Sequence, residues 1–400
     1  MNLSSAADWF ASIVRPDVTF DSARCLYSMD RFSGCQECFQ VCPDDAIIVD
    51  RPPRLDGEKC LGCSACLPVC PRGAYQANDP LKPLFTATKT VDATEIDLFC
   101  SSNLQAKAGP STNSVGYSVK GCLAGLGAGS YLNVLASGFQ RVVVRLDACQ
   151  DCPLGTLKER IEDQIHQAQN LLALWGKRPA LMSISTLEKP VERPVWDNEA
   201  VQPGVSRRDF FKMLVPVAKQ PKESSSGNAK EVENPEKLGR ERLHLLRASA
   251  NFDLPLANPE TRLEEAGFAL LTVSDECTAC ETCARVCPTG AIRFAANQAE
   301  TKYQLRFLAE ACIGCEACLH ICPPSAISIE HAPAAKQVFT NGEPVVLNQG
   351  NLVQCERCHA TFAAKEGKRL CPFCEYRASH PFGSMLTPAG KPFFPNKQEK

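Results

Sequence analysis

The residues of this sequence with the clearest chemical role are its 24 cysteines. Sixteen of them fall into four runs, each of which ends in a Cys-Pro pair. Three runs have the spacing Cys-x2-Cys-x2-Cys-x3-Cys-Pro and begin at Cys60, Cys277 and Cys312. The fourth run starts with a nine-residue gap between Cys25 and Cys35. Clustered thiolates in short loops are the ligands that iron–sulfur clusters require. The spacing therefore predicts cluster sites, and zinc or unliganded thiols are the alternative interpretation.

In each run the tight loop can hold three irons of one cube, and the Cys-Pro cysteine ligates the neighbouring cube. The pattern resembles bacterial-type two-cluster ferredoxins, and it occurs twice, at residues 21–80 and 268–331. The resemblance implies four 4Fe–4S clusters. Their predicted ligands are Cys277, Cys280, Cys283 and Cys322; Cys312, Cys315, Cys318 and Cys287; Cys60, Cys63, Cys66 and Cys42; and Cys35, Cys38, Cys70 and Cys25.

Cys25 is the position at which the sequence departs from the ferredoxin pattern, because nine residues separate it from Cys35. If Cys25 is a ligand, its cluster is a complete cube. If it is not, the cluster is a three-iron form or has a labile corner. The spacing leaves both possibilities open.

The remaining cysteines in the middle of the chain follow predicted strands. These are Ile96–Phe99 before Cys100, Val115–Lys120 before Cys122, and Val142–Leu146 before Cys149 and Cys152. Helices are predicted over Gly125–Ser137 and Leu154–Trp175, and strands that alternate with helices indicate a parallel sheet. Open sheets of this kind place their ligands beyond the carboxyl ends of the strands. We therefore expect the four thiols to form one site within residues 91–185.

This segment resembles the delta subunit of methyl-viologen-reducing hydrogenase, an iron–sulfur protein that passes electrons between hydrogenase and heterodisulfide reductase. The matching residues are Leu98-Phe99-Cys100, Val119-Lys120-Gly121-Cys122 and Asp147-Ala148-Cys149-Gln150-Asp151-Cys152. The resemblance implies one 2Fe–2S cluster on Cys100, Cys122, Cys149 and Cys152. The alternative is a redox-active or buried Cys149–Cys152 pair.

The last four cysteines form two Cys-x2-Cys pairs, Cys355 with Cys358 and Cys371 with Cys374. Four thiolates at this spacing predict a tetrahedral metal site in a zinc-ribbon-like knuckle at residues 352–378. Rubredoxin-type iron uses the same ligands and remains the alternative, and the short intervening loop favours zinc. His359 and His380 are interpreted as surface residues, since four cysteines suffice.

Length and composition limit the architecture and the class of protein. Four hundred residues predict several domains, and the polar stretch 219–242 is interpreted as a flexible linker. Without a signal peptide or an apolar run long enough to span a membrane, so many cysteines indicate metal binding in a reducing cytoplasm. A formal charge of −2 gives no reason to expect a nucleic acid partner. The predicted fold is multidomain α+β and α/β: two ferredoxin-like dicluster domains, one parallel-sheet domain and one knuckle.

These sites predict an electron-transfer protein with four 4Fe–4S clusters, one 2Fe–2S cluster and one zinc. The expected partners are redox subunits: a hydrogenase, a molybdenum-dependent dehydrogenase or a flavoprotein resembling heterodisulfide reductase. No acid–base or nucleophilic constellation in the sequence predicts catalysis within this chain. The alternative is an iron–sulfur assembly or regulatory protein that binds macromolecules through its ribbon.

Overall fold

The computed structural model describes residues 18–87, 93–196, 235–252, 255–264, 267–297, 301–340, 342–363 and 367–379. The chain divides into two units. The first unit takes its described residues from Met1–Asp21, Gln36–Val232 and Gly239–Ala257. The second takes them from Ser22–Cys35, Glu233–Leu238 and Asn258–Lys400. The boundary falls within the first ferredoxin motif, between Cys35 and Gln36.

The first unit contains the predicted parallel sheet, which within the described residues has five strands. Their spatial order is Val195–Trp196, Ser114–Val119, Glu95–Cys100, Arg141–Arg145 and Leu181–Ile184, and every neighbouring pair is parallel. The three inner strands are almost continuously buried, as expected when helices cover a parallel sheet. The α/β interpretation of the middle segment is therefore confirmed. A separate antiparallel pair joins Ala108–Gly109 to Val191–Glu192.

Two helices provide the crossovers of this sheet, and both are shorter than predicted. The first is Ala128–Ala136, and almost every residue of it is buried. The second is Lys158–Leu172, which buries Ile161, Ile165 and Ala168 at helical spacing. One-turn 3-10 helices precede or follow them, at Leu123–Gly125, Asp147–Cys149, Gly155–Leu157, Ala173–Trp175 and Arg178–Ala180. The first three connect the strand ends to the helices in the region of the cysteines, and the last two connect the second helix to the strand Leu181–Ile184.

The ferredoxin-type segment of the first unit is built from two very short antiparallel pairs and short helices. Thr19–Phe20 pairs with Tyr75–Gln76, and Ile47–Ile48 pairs with Arg54–Leu55. The helices are Glu37–Val41, Cys66–Val69 and Lys82–Ala87. Ile47, Leu67 and Tyr75 form a small buried core that also contacts Cys42 and Cys66.

The end of the predicted linker differs from expectation. Residues 219–234 of the predicted stretch 219–242 lie outside the described residues. Pro235–Lys237 forms a 3-10 helix in the second unit, and Arg240–Asn251 forms a helix in the first. This helix packs against Ala128–Ala136. It buries Leu245, Leu246 and Ala248, which lie beyond the predicted linker, so only residues 240–242 of the predicted stretch belong to this helix.

The second unit repeats the ferredoxin topology with longer strands. Ala269–Val273 pairs with Ile327–His331, and the helices of this segment are Thr282–Val286 and Ala317–Ile321. Further short helices are Ser22–Arg24, Leu26–Met29, Ala309–Ala311, Ala335–Val338 and Pro372–Ser379. Among the described residues an antiparallel sheet of four strands has the order Ile292–Asn297, Lys302–Phe307, Val345–Gln354 and Thr361–Ala363. This sheet joins the ferredoxin segment directly to the cysteine knuckle.

Among the helices that the structure describes, none has the length and apolar character needed to cross a bilayer.

Candidate iron–sulfur and metal sites

The loops of the three regular ferredoxin runs share an unusual backbone conformation. In each loop the residue two positions after the first cysteine has positive φ: 66° at Gly62, 55° at Ala279 and 63° at Gly314. Glycine adopts this left-handed conformation freely, whereas a residue with a Cβ is disfavoured by ~1–2 kcal/mol. Ala279 is therefore held in a strained conformation. The same backbone conformation in all three loops indicates a common requirement: each loop directs its cysteines toward one bound group.

A second shared feature follows each Cys-Pro pair. The residue three positions after the cysteine again has positive φ; these residues are Asp45, Gly73, Gly290 and Ser325. In three of the four turns the next backbone N–H donates to the cysteine Sγ, at 3.3 Å for Cys42, 3.1 Å for Cys70 and 3.3 Å for Cys322. Hydrogen bonds of this kind favour the thiolate form of a ligand.

The irregular first run has a different loop. Gln36, which follows Cys35, has a φ of −134°. The gap before Cys35 contains the helix Leu26–Met29, and Cys25 is the buried residue that precedes it. The extra residues therefore form a short helix and a turn, which explains why the spacing departs from the other runs.

This inserted segment is fixed within the second unit. Arg24 donates to the carbonyl oxygens of Glu236 and Leu238 at 2.7 and 2.8 Å. Oδ2 of Asp30 lies 3.7 Å from Nδ1 of His320, and the Phe32 ring lies 5.3 Å from the His320 ring. Since His320 lies between Cys318 and Cys322, the insertion packs beside another predicted cluster.

The four cysteines predicted for the irregular cluster are divided between the two units. Cys25 and Cys35 belong to the second unit, whereas Cys38 and Cys70 belong to the first. In the first unit, Cys38 and Cys70 both border the apolar core around Ile47. The ligand set proposed from the sequence for this cluster stays a prediction.

In the first unit, the thiols of Cys42, Cys60, Cys63 and Cys66 line one cavity with apolar walls. Burial raises the pKa of the Cys66 thiol, and the negative charges of Cys63, Cys60 and Cys42 raise it further. Burial likewise raises the pKa of the Cys63 thiol, although the hydrogen bond from the backbone N–H of Ala65 opposes the shift. The four sulfurs predicted for one cube are therefore close enough to act on one another.

The two predicted sets of the second unit are also close together. Burial raises the pKa of Cys283 to about 12, with further contributions from Cys280, Cys277 and Cys322. Burial also raises the pKa of Cys318, and the charges acting on it come from Cys312, Cys287, Cys315 and then Cys283. Each thiol thus interacts with its predicted set, and Cys318 also interacts with Cys283 of the neighbouring set.

The middle cysteines meet at one cavity of the first unit, which Cys100, Cys122, Cys149 and Cys152 line together. Cys100 is the last residue of its strand, and Cys149 ends the turn Asp147–Cys149 that follows the strand Arg141–Arg145. Cys122 begins the turn Leu123–Gly125. The carboxyl ends of three adjacent strands therefore bring the four thiols together, as parallel sheets do for ligands.

The surroundings of this cavity disfavour free thiolates. Burial raises the pKa of Cys149 to about 12, and the charges of Cys100 and Cys152 add to the shift. Burial likewise raises the pKa of Cys122. Backbone N–H groups compensate in part: Ala124 donates to Sγ of Cys122 at 3.5 Å, and Leu154 donates to Sγ of Cys152 at 3.4 Å. Four desolvated thiols can ionise together only if a cationic group binds them, so the donor set fits an iron–sulfur group.

The knuckle differs from this cavity in the distances between its sulfur atoms. Among the described residues, Cys355, Cys358, Cys371 and Cys374 form the group whose Sγ atoms all lie within 4.8 Å of one another, and the middle cysteines form no such group. Zinc–sulfur bonds of ~2.3 Å cannot join sulfurs more than ~4.6 Å apart. The knuckle therefore fits a single metal ion.

The knuckle is built from the hairpin Val345–Gln354 with Thr361–Ala363 and the helix Pro372–Ser379. The backbone N–H of Cys371 donates to Sγ of Cys355 at 3.3 Å, and chiefly for this reason the pKa of Cys355 is lowered to about 6. Burial raises the pKa of Cys374 to about 12.

A buried charge network that no sequence motif predicted lies within the sheet domain. Asp97 is fully buried and forms ion pairs with Arg193 and, at 3.8 Å, with Arg145. Arg145 also pairs with Asp147 at 2.6 Å, two residues before Cys149. Although burial opposes it, the hydrogen bond and charge of Arg145 hold the pKa of Asp147 below its usual range. The sequence signal that could have predicted this network is the presence of two charged residues, Asp97 and Arg145, inside otherwise apolar strands.

Two parts of the chain match models of known families. Residues 276–326 match the 4Fe-4S dicluster domain, and residues 53–76 match the 4Fe-4S binding domain. A search among curated proteins finds no match to this chain. The chain therefore contains ferredoxin-type 4Fe–4S binding domains in both predicted regions, and iron–sulfur binding of this type suggests electron transfer in general terms. The matched ranges do not include the middle domain or the knuckle.

Proposed function

We propose that this chain is a multi-cluster electron-transfer subunit that relays electrons between a redox enzyme and another carrier. Its full complement would be four 4Fe–4S clusters on the sixteen ferredoxin-type cysteines, one 2Fe–2S cluster in the middle domain and one zinc in the knuckle. When bound, the clusters supply one-electron chemistry at potentials set by burial and by hydrogen bonds to sulfur.

The observation that carries this proposal is the cavity at the carboxyl edge of the parallel sheet. A ferredoxin-type domain alone would support many roles, but a further set of four thiols in a separate domain extends the path available to electrons. These thiols come from three strand ends, are partly buried and line one cavity together. The arrangement supports a 2Fe–2S group and a relay of several centres.

The role proposed for the knuckle is structural. Its strand Thr361–Ala363 is an edge strand of the four-stranded sheet. The N–H of Ala363 donates to the carbonyl oxygen of Thr278 at 3.0 Å. Thr278 lies between Cys277 and Cys280, in a predicted cluster loop. Zinc at the four cysteines would hold this small segment folded and brace that loop.

The charges of the knuckle give little support to the alternative of a macromolecule-binding protein. Lys368 pairs with Glu375 at 2.7 Å, and Arg369 pairs with Glu356 at 3.4 Å. Basic groups paired with carboxylates on the same surface do not form the positive field that nucleic acid binding needs. We therefore keep the electron-transfer proposal alone.

The expected partners are a hydrogenase, a molybdenum-dependent dehydrogenase or a flavoprotein resembling heterodisulfide reductase. This part of the proposal rests on the resemblance of the middle domain to the hydrogenase delta subunit. The cytoplasm remains the proposed location, since clustered thiols in a reducing compartment bind metals.

Coulometric titration of anaerobically purified protein tests the function. We expect the chain to take up about five electrons, one for each of five clusters, in reversible steps. Uptake of about four electrons would remove the middle centre from the relay. Protein that binds iron but takes up no electrons reversibly would contradict an electron-transfer role.

A further inference from the structure

Two of the cysteine sets in the first unit are separated by a single turn of the chain. Leu61 and Cys63 line the cavity of the Cys42–Cys66 set and also the cavity of the middle cysteines. Cys63 is itself a predicted cluster ligand, so its side of the ferredoxin site forms part of the wall of the middle site. We call residues Leu61–Ser64 the junction turn.

The close approach of the junction turn depends on Gly125. This glycine ends the turn Leu123–Gly125, which follows Cys122. A Cβ at Gly125 would lie only 2.9 Å from the Cβ of Ser64, and 3.8 Å from the carbonyl oxygens of Cys63 and Ser64. Real Cβ atoms do not approach other atoms at 2.9 Å, so a side chain at this position would push the two turns apart.

The helix Arg240–Asn251 holds both sides of this contact in place. The Arg240 guanidinium donates to the carbonyl oxygen of Gly125, and the Glu241 carboxylate accepts from the backbone N–H of Ser130 at 2.8 Å. On the ferredoxin side, the backbone of Gly239 lies against the carbonyl oxygens of Cys70 and Pro71. One segment therefore contacts both the ferredoxin loops and the sheet domain.

The shared wall of the two cavities places the two sites side by side. Clusters that occupy the two sites would influence each other's reduction, because an electron added to one site repels an electron entering its neighbour.

We propose that the junction turn is the internal contact at which an electron passes between the Cys42–Cys60–Cys63–Cys66 site and the Cys100–Cys122–Cys149–Cys152 site. This inference rests on the proposed function, because it requires a 4Fe–4S cluster at the first site and a 2Fe–2S cluster at the second. Beyond the proposed function, we identify which two cysteine sites are neighbours and which residues, Leu61–Ser64, lie between them.

The electron balance of the step is simple. One electron leaves the reduced 4Fe–4S cluster and enters the oxidised 2Fe–2S cluster, and no bond or proton is exchanged. The external reductant in the test is dithionite, which supplies the electrons that reach either centre. The chain's own contribution is to place Cys63 in the wall of the cavity that Cys122 also lines.

The first test uses the unaltered full chain and electron paramagnetic resonance. Neighbouring paramagnetic centres speed each other's spin relaxation. We expect the reduced 2Fe–2S signal to saturate at several-fold higher microwave power when the 4Fe–4S clusters are also reduced than when they are oxidised. Equal saturation in the two redox states would overturn the junction while leaving the 2Fe–2S cluster intact.

A set of variants then assigns the effect to this turn. Gly125→Ala should weaken the relaxation enhancement, because its Cβ separates the turns, without loss of iron. Ser64→Gly removes the opposing Cβ, and Ser64 has a φ of 62°, which glycine adopts easily. The double variant should therefore recover the enhancement. Gly57→Ala is the matched control, since nothing lies within 4 Å of its added Cβ.

The outcomes separate this inference from the proposed function. Loss of enhancement in Gly125→Ala with recovery in the double variant supports the junction. An enhancement that is the same in wild type, Gly125→Ala and the double variant would place the neighbouring centre elsewhere and overturn it. A chain that contains the 4Fe–4S clusters but gives no 2Fe–2S signal would overturn the proposed middle cluster, and the junction with it.

Discussion

The Cys122→Ser variant is expected to lose the 2Fe–2S signal and about two irons per chain, while the 4Fe–4S clusters remain. The Cys122 thiol lies in the cavity shared by Cys100, Cys149 and Cys152, so its loss leaves only three of the four predicted ligands. The measurement is iron and acid-labile sulfide content together with electron paramagnetic resonance of the dithionite-reduced protein. Unchanged iron content would remove Cys122 from the ligand set.

Ser102 provides the matched control for this experiment. It lines the same cavity but offers no thiol. Ser102→Ala is therefore expected to keep its full iron content and its 2Fe–2S signal. If Ser102→Ala also lost two irons, the effect of Cys122→Ser would reflect a damaged cavity and not a missing ligand.

The Arg193→Met variant is expected to destabilise the sheet domain by ~3–5 kcal/mol, because it leaves a buried carboxylate without its main partner. Asp97 and Arg193 are both fully buried, and Arg145 remains as a more distant partner at 3.8 Å. Native-state hydrogen exchange of the strands Glu95–Cys100 and Arg141–Arg145 measures this change as a lower free energy of opening.

Arg141→Met, on the strand Arg141–Arg145, is the control. Its partner is Glu95 at 3.2 Å, and the Arg141 side chain is 52% exposed. Exposed pairs of this kind contribute ~0–1 kcal/mol, so exchange should change little. A similar effect in both variants would show that the buried pair has no special importance. Combining Arg193→Met with Asp97→Asn should recover part of the loss, since no buried charge is then left uncompensated.

The sequence predicted much of the architecture because two local signals were strong. Hydrophobic periodicity predicted the strands that end at Cys100, Cys122 and Cys149, and chain topology then required their ends to lie at one edge of the sheet. Fixed cysteine spacing predicted the ferredoxin-type segments, which match known family models. The ligand roles of individual cysteines remain predictions.

Features that depend on distant contacts could not be read from local patterns. The helix Arg240–Asn251 follows a polar stretch, and its burial is apparent only from its packing against Ala128–Ala136. The junction turn depends on two loops about sixty residues apart, and nothing in the residues around Gly125 indicates that Ser64 faces it. The insertion after Cys25 had no predicted partner, yet it packs against His320.

Mössbauer spectroscopy of the anaerobically purified, iron-57-enriched full chain, combined with metal analysis, measures the whole set of clusters at once. We expect about 18 irons and about one zinc per chain. About one ninth of the iron should give the spectrum of an oxidised 2Fe–2S cluster, and the rest that of 4Fe–4S clusters. A chain with about eight irons, or one whose iron is entirely in 4Fe–4S form, would show that the proposed set of five clusters is wrong.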